Sequence, residues 1–250
     1  MKTPITNHQT IGEIVAENYH AAAVFEKHEI DYCCGGKKTL VAVCKERHLD
    51  LSKLLKEIEE TTSTVQMQLP SQNAAKWNLS FLINYIIETH HQYVKESIPT
   101  LLRLTEKIAA VHGKNHPELI KVQSLFKTLS SELTVHLQKE EKVLFPYINR
   151  LLEAKALHTM PNTPAFKTIQ HPLQVLEHEH DEAGAIMLEI RQLCHHYTPP
   201  ADACTTYKVA LSTLHEFETD LHLHVHLENN ILFPKAQDLE NELLGGNVTG

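Results

Sequence analysis

The chain has 250 residues, room for one or two domains, and its 42% hydrophobic and 22% charged content is ordinary for a globular protein with a core. A net charge of −8 argues against a nucleic-acid surface, which needs clustered Lys and Arg. There is no run of about 20 apolar residues to span a bilayer and no apolar leader at the start, so a cytoplasmic location with reduced cysteines is expected.

With 8 Gly and long periodic runs, the pattern predicts an all-α fold. Thr10 caps a short helix with Ile11, Ile14 and Val15 on one face. A second helix is expected over residues 21–28. Cys33-Cys34-Gly35-Gly36 makes a turn, residues 37–48 read as helical, and Asp50 or Ser52 caps a helix ending near Glu60. Residues 1–60 are thus expected to form a small helical domain. The polar stretch 61–76, with a Pro and no period, is expected to be a linker. A four-helix bundle is expected over residues 77–244, with a tail at 245–250. Inside the bundle, residues 153–172 carry three Pro and join two halves, and Pro199-Pro200 precedes the last helix.

The two halves repeat each other. His136 and Glu140 are four residues apart and lead into Leu144-Phe145-Pro146. His224 and Glu228 have the same spacing and lead into Leu232-Phe233-Pro234. Residues four apart share a helix face. Here that face is the apolar stripe Leu133, Leu137, Val143 and Leu144 in one copy, and Leu221, Val225, Ile231 and Leu232 in the other. Each helix therefore turns an imidazole and a carboxylate inward, and a buried carboxylate is expensive unless paired or metal-bound. His222 and His226 lie about 200° round the helix from His224 and are expected to face water, as is His178.

His91 has Ile87, Val94 and Ile98 at helical spacing, and His180 has Leu176, Ala183 and Met187. They precede His136 and His224 by 45 and 44 residues. His90, about 100° from His91, is the alternative donor there. A single inward His is more often a hydrogen-bonded core residue than a ligand, but two matched His-x-x-x-Glu pairs, each led by a His, favour a metal. The inventory is four imidazoles and two carboxylates pointing into an up-down bundle. That is too rich for one zinc and too nitrogen-rich for calcium or magnesium. It suits a pair of irons or manganese ions about 3.5–4 Å apart, with Glu140 and Glu228 as bridges and an oxo or hydroxo bridge completing the pair.

This order of residues resembles the hemerythrin-like family of di-iron bundles, and more closely the iron–sulfur cluster repair proteins within it, also called repair-of-iron-centres proteins. The motifs that carry the resemblance are Asp31-Tyr32-Cys33-Cys34-Gly35-Gly36, the Glu-Glu-x-x-Leu-Phe-Pro run from Glu140, the segment Glu177 to Gly184, and Leu227-Glu228-Asn229-Asn230 with its Leu-Phe-Pro. They span nearly the whole chain. Ferritin-like bundles use Glu-x-x-His instead. The resemblance implies non-haem iron held by His91, His136, Glu140, His180, His224 and Glu228. It implies repair of iron–sulfur clusters damaged by oxidative or nitrosative stress, with damaged iron–sulfur proteins as partners and iron supplied from a labile centre. The alternatives are a di-iron enzyme reducing nitric oxide or peroxide, or a protein that binds or senses nitric oxide or dioxygen. A homodimer is compatible with the sequence.

Four further residues are singled out. The resemblance implies redox or iron handling for Cys33 and Cys34, and a turn at a helix start would lower a thiol pKa. Glu132, one turn before His136, and Glu179, beside His180, are expected to orient imidazoles or to line a path for iron or protons. Cys44, Cys194 and Cys204 lack partners at metal spacing and are expected to be structural.

Overall fold

The structure, a computed structural model, describes residues 5, 6, 8–64 and 74–245. Residues 65–73 of the expected linker and 246–250 of the expected tail lie outside the described residues. Within the described residues the fold is all-α, with an isolated bridge between Thr10 and Thr39. No helix among them is long and apolar enough to cross a membrane. The chain divides into two compact units, one of residues 1–82 and 225–238, the other of residues 83–224 and 239–250.

In the first unit, α1 (Ile11–Glu17) starts on a capping box. Thr10 Oγ1 accepts from the Glu13 N–H at 3.2 Å, and the Glu13 carboxylate accepts from the Thr10 N–H at 2.8 Å. Then come α2 (His20–Lys27), α3 (Leu40–Glu46) and α4 (Leu51–Thr64). Helix α3 starts three residues later than the sequence suggested. The reason is that Gly35–Lys37 closes a single 3₁₀ turn and Thr39 takes the cap. Asp50 caps α4 through the Lys53 N–H, and the helix runs on past Glu60 to Thr64. Ile11, Ile14, Phe25, Leu40, Leu54 and Ile58 form the core, each fully buried residue of this kind contributing about 1.5–3 kcal/mol.

The second unit is built from long helices. Helix α5 (Leu79–Tyr85) leads through a π turn, Ile86–His91, into α6 (Gln92–His112). Helix α7 (Glu118–Lys139) leads through the π turn Glu140–Leu144 into α8 (Phe145–Leu157). Helix α9 (Gln170–Leu193) follows. Helix α10 (Thr205–Leu227) leads through the π turn Glu228–Leu232 into α11 (Phe233–Gly245), residues 225–238 of this run belonging to the first unit. Helix α7 packs along α6 and α9, and Phe217 of α10 sits edge-on to Phe126 at 5.5 Å. The segment before α9 is fastened by buried Glu240, which accepts from Tyr147 Oη at 2.6 Å, Thr168 Oγ1 at 2.7 Å and the Ile169 N–H at 2.9 Å.

The π turns matter for the site. Such single turns occur mostly where function demands them, and here one ends at His91, one begins at Glu140 and one begins at Glu228. They also shift the faces that follow. Val143, expected in the inward stripe, is 46% exposed, while Leu144 and Phe145 are buried. The π turn takes up an extra residue, so the α-helical offset from His136 overshoots there.

Candidate metal centre

His91, His136, Glu140, His180 and His224 are each at most 3% exposed and converge inside the second unit. Glu140 Oε2 lies 3.4 Å from both His91 Nε2 and His136 Nε2. His180 Nε2 is 2.9 Å from His136 Nε2. The His91 and His224 ring centres are 4.9 Å apart. Donor atoms of His91, Glu140 and His224 lie within 4.8 Å of one another, and so do those of His136, Glu140 and His180, with Glu140 common to both groups. Glu228 is fully buried one turn beyond His224 on the same continuous helix, at the first position of its π turn. Glu140 holds that place after His136.

This donor set fits a metal. Donors sharing one ion at about 2.1 Å stand about 3–4.2 Å apart, the scale of the 2.9 and 3.4 Å spacings here. Glu140 is a carboxylate sealed among imidazoles in an apolar shell, and a cation there offsets a desolvation cost of several kcal/mol.

Carboxylates stand behind two of the imidazoles. His91 Nδ1 lies 2.8 Å from Glu141 Oε1, and His136 Nδ1 lies 2.9 Å from Glu179 Oε2. Each carboxylate also accepts from a lysine, Lys95 at 2.6 Å for Glu141 and Lys139 for Glu179. Partial burial pushes both carboxyls up, but the bonds from Lys and His outweigh it and hold them below the usual carboxylate range. An ionised acceptor at Nδ1 fixes the tautomer, leaving the Nε2 lone pair to face inward.

Glu179 therefore backs His136 across the helix pair, not its sequence neighbour His180. Glu132 is exposed. It lines a 110 Å³ cavity with His136, Lys139, Glu179 and Glu182. Sequence reasoning missed Glu141, for which the Glu140-Glu141 doublet was the available signal. His90 is 1% exposed, with Nδ1 2.9 Å from Asp220 Oδ1. Asp220 was missed too.

His226 corrects an expectation. It is 1% exposed, its ring edge-to-face with Tyr32 at 5.8 Å between centres and its Nδ1 3.2 Å from Asn230 Nδ2, all within the first unit. Burial pushes its pKa down to about 4, so it is neutral near pH 7. The expectation that it faces water fails because Tyr32 of the same unit covers it.

Cys33 is buried and Cys34 partly so, with sulfurs 3.8 Å apart. Asp31 Oδ1 accepts from both of their backbone N–H groups at 3.0 Å and from the Cys33 thiol at 3.1 Å. Asp31, Cys33 and Cys34 form a further group of donor atoms within 4.8 Å. The expected lowering of a thiol pKa is reversed at Cys33. Its hydrogen bond to Cys34, then burial, then the Asp31 charge, all push it up.

The lowered thiol is elsewhere. Cys204, expected to be structural, is exposed just before α10 with His112 Nε2 3.1 Å from its sulfur. That hydrogen bond, with help from the Tyr207 and Thr206 N–H groups, brings its pKa down to about 7. Burial pushes Cys194 up to about 12. Alkylation of Cys204 by iodoacetamide should therefore rise with pH through a midpoint near 7, where the thiolate forms, and Cys194 should stay inert. His112→Ala should move the midpoint up towards about 8.5. A wild-type midpoint already at that ordinary value would refute the pairing.

The hemerythrin HHE cation binding domain matches residues 82–236, and the ScdA_N domain of unknown function (DUF542) matches residues 7–62. A probable iron-sulfur cluster repair protein of Haemophilus influenzae is 34% identical over 231 residues, covering 91% of this chain and 96% of that protein. The iron-sulfur cluster repair proteins YtfE of Yersinia pseudotuberculosis and Yersinia pestis are 32% identical over 231 residues, with the same coverage.

Proposed function

This chain belongs to the hemerythrin HHE cation-binding family, among the iron–sulfur cluster repair proteins, and we propose that it restores damaged iron–sulfur clusters by supplying iron from a dinuclear non-haem centre. His91, His136, His180 and His224 would hold the irons as terminal ligands, and Glu140 and Glu228 would be the carboxylates shared between them. The observation that carries this reading is the Glu140 carboxylate oxygen, 3.4 Å from an imidazole nitrogen on either side.

Bound iron supplies a labile ferrous ion for rebuilding a cluster, and the chain's own residues set how firmly it is kept. Glu141 and Glu179 keep the proton on Nδ1 of His91 and His136, so that both Nε2 atoms donate. The cavity at His136 is lined by Glu132, Glu179 and Glu182, which favour a cation over an anion there. Six protein ligands for two irons leave coordination positions open, so solvent or a competing ligand can enter as iron leaves. The targets are damaged iron–sulfur proteins, consistent with the names of the relatives.

Isotopically labelled iron tests this. The chain is loaded, its iron counted, and then mixed with an enzyme whose cluster has been damaged. Label in the recovered enzyme, together with returned activity, is the expected result. Two irons that bind and stay put would overturn donation.

A further inference from the structure

Three imidazoles of the second unit carry the same device. His91 Nδ1 meets Glu141 at 2.8 Å, His136 Nδ1 meets Glu179 at 2.9 Å, and His90 Nδ1 meets Asp220 at 2.9 Å. A carboxylate at Nδ1 holds the proton there and makes Nε2 a lone-pair donor, the arrangement that almost always accompanies a metal-binding histidine. For His91 and His136, that Nε2 faces Glu140 at 3.4 Å. For His90 the device has no assigned use.

The large majority of buried polar side-chain atoms have a hydrogen-bond partner, and an exception calls for an explanation. His90 is 1% exposed, and its Nε2 is a buried atom without a hydrogen-bond partner among the described residues, as is Asp220 Oδ2. Its ring lies parallel to the His224 ring, tilted by 6° with centres 5.6 Å apart. Yet His90 stands outside both groups of donor atoms that lie within 4.8 Å of one another. The Asp220 side chain is 20% exposed. An imidazole nitrogen and a carboxylate oxygen thus stand in sequence between the His224 ring and the partly exposed Asp220 side chain.

We propose that His90 and Asp220 form a hand-over site for ferrous iron entering or leaving the centre, an inference that rests on the dinuclear reading above. The step is a ligand exchange. The His90 imidazole would take the place of the His224 imidazole on the ion, one nitrogen ligand for another, with no change of electron or proton count. Asp220 keeps the His90 lone pair available and supplies a carboxylate oxygen to the departing cation.

The test loads the full chain with ferrous iron without oxygen, counts the bound metal, and follows its loss to a phenanthroline-type chelator by absorbance. Wild type is compared with His90→Gln and Asp220→Asn, with helix content checked by circular dichroism. Both folded variants should still hold two irons and release them about tenfold more slowly, a barrier to release higher by about 1.4 kcal/mol. Wild-type release rates in both variants would overturn the hand-over site and leave the dinuclear reading intact. Loss of iron from His90→Gln would make His90 a resting ligand and also overturn it. Failure of wild type to bind iron would instead defeat the dinuclear reading itself.

Discussion

Glu140→Leu should bind less than one iron per chain where the parent should bind two, and its metal-free form should resist denaturant better than the metal-free parent. Both effects come from one placement. Glu140 is fully buried, its Oε2 lies 3.4 Å from His91 Nε2 and from His136 Nε2, and it belongs to both donor groups. On the proposed dinuclear reading, removing it would take a ligand from each half of the site at once. His180 belongs to one group only, so His180→Ala should cost about one iron, and the contrast identifies the shared ligand. Without metal the sign of the stability term reverses. A sealed carboxylate carries a desolvation penalty of several kcal/mol, and a leucine of similar volume in its place carries none. Metal analysis of the purified variants and urea titration of the stripped proteins read the two effects separately. Two irons retained by Glu140→Leu would remove Glu140 from the centre.

Much of this was legible because a 3.6-residue period is a strong signal over long helices. The all-α fold, the repeat and the inward faces of His136, His180 and His224 follow from it. What escaped the sequence escaped for local physical reasons. A π turn breaks the period, so Val143 was put inside and is out. Burial of His226 depends on contact with Tyr32, which is 194 residues distant in the chain, and no helical wheel carries that information. The carboxylates behind the imidazoles sit on neighbouring helices, as Glu179 does for His136 and Asp220 for His90. Their pairing is set by how the helices pack, not by spacing along one of them. The short N-terminal helices gave their caps more faithfully than their ends. Thr10 and Asp50 are local hydrogen-bond acceptors, whereas Gly35–Lys37 forms a turn of its own that delays α3.

Gly36→Val should destabilise the first unit by about 2–4 kcal/mol and expose the Cys33 thiol. The glycines here are a matter of space, since no glycine among the described residues has positive φ. A Cβ on Gly36 would stand 2.3 Å from Asn230 Oδ1, and one on Gly12 would stand 2.3 Å from the same atom. The Asn230 amide therefore fills a slot with a glycine on each wall. Swinging away from one wall drives it onto the other. It also gives up the hydrogen bonds that Asn230 Nδ2 donates to the carbonyls of Cys33 at 3.0 Å and Tyr32 at 3.3 Å. A mutant cycle isolates this pair. Gly36→Ala should cost stability with Asn230 in place and markedly less in an Asn230→Ala background, where the slot is empty. Denaturant midpoints measure the first half. Peptide mapping after brief treatment with a thiol reagent measures the second, because Cys33 is only 5% exposed in the parent and should label faster once the turn lifts. Unchanged labelling and an unchanged midpoint in Gly36→Val would show that the amide has room to move. The consequence reaches further than the cysteine turn. Asn230 belongs to the π turn that begins with Glu228, so the contacts that seat Cys33 also hold the helical turn that presents this carboxylate.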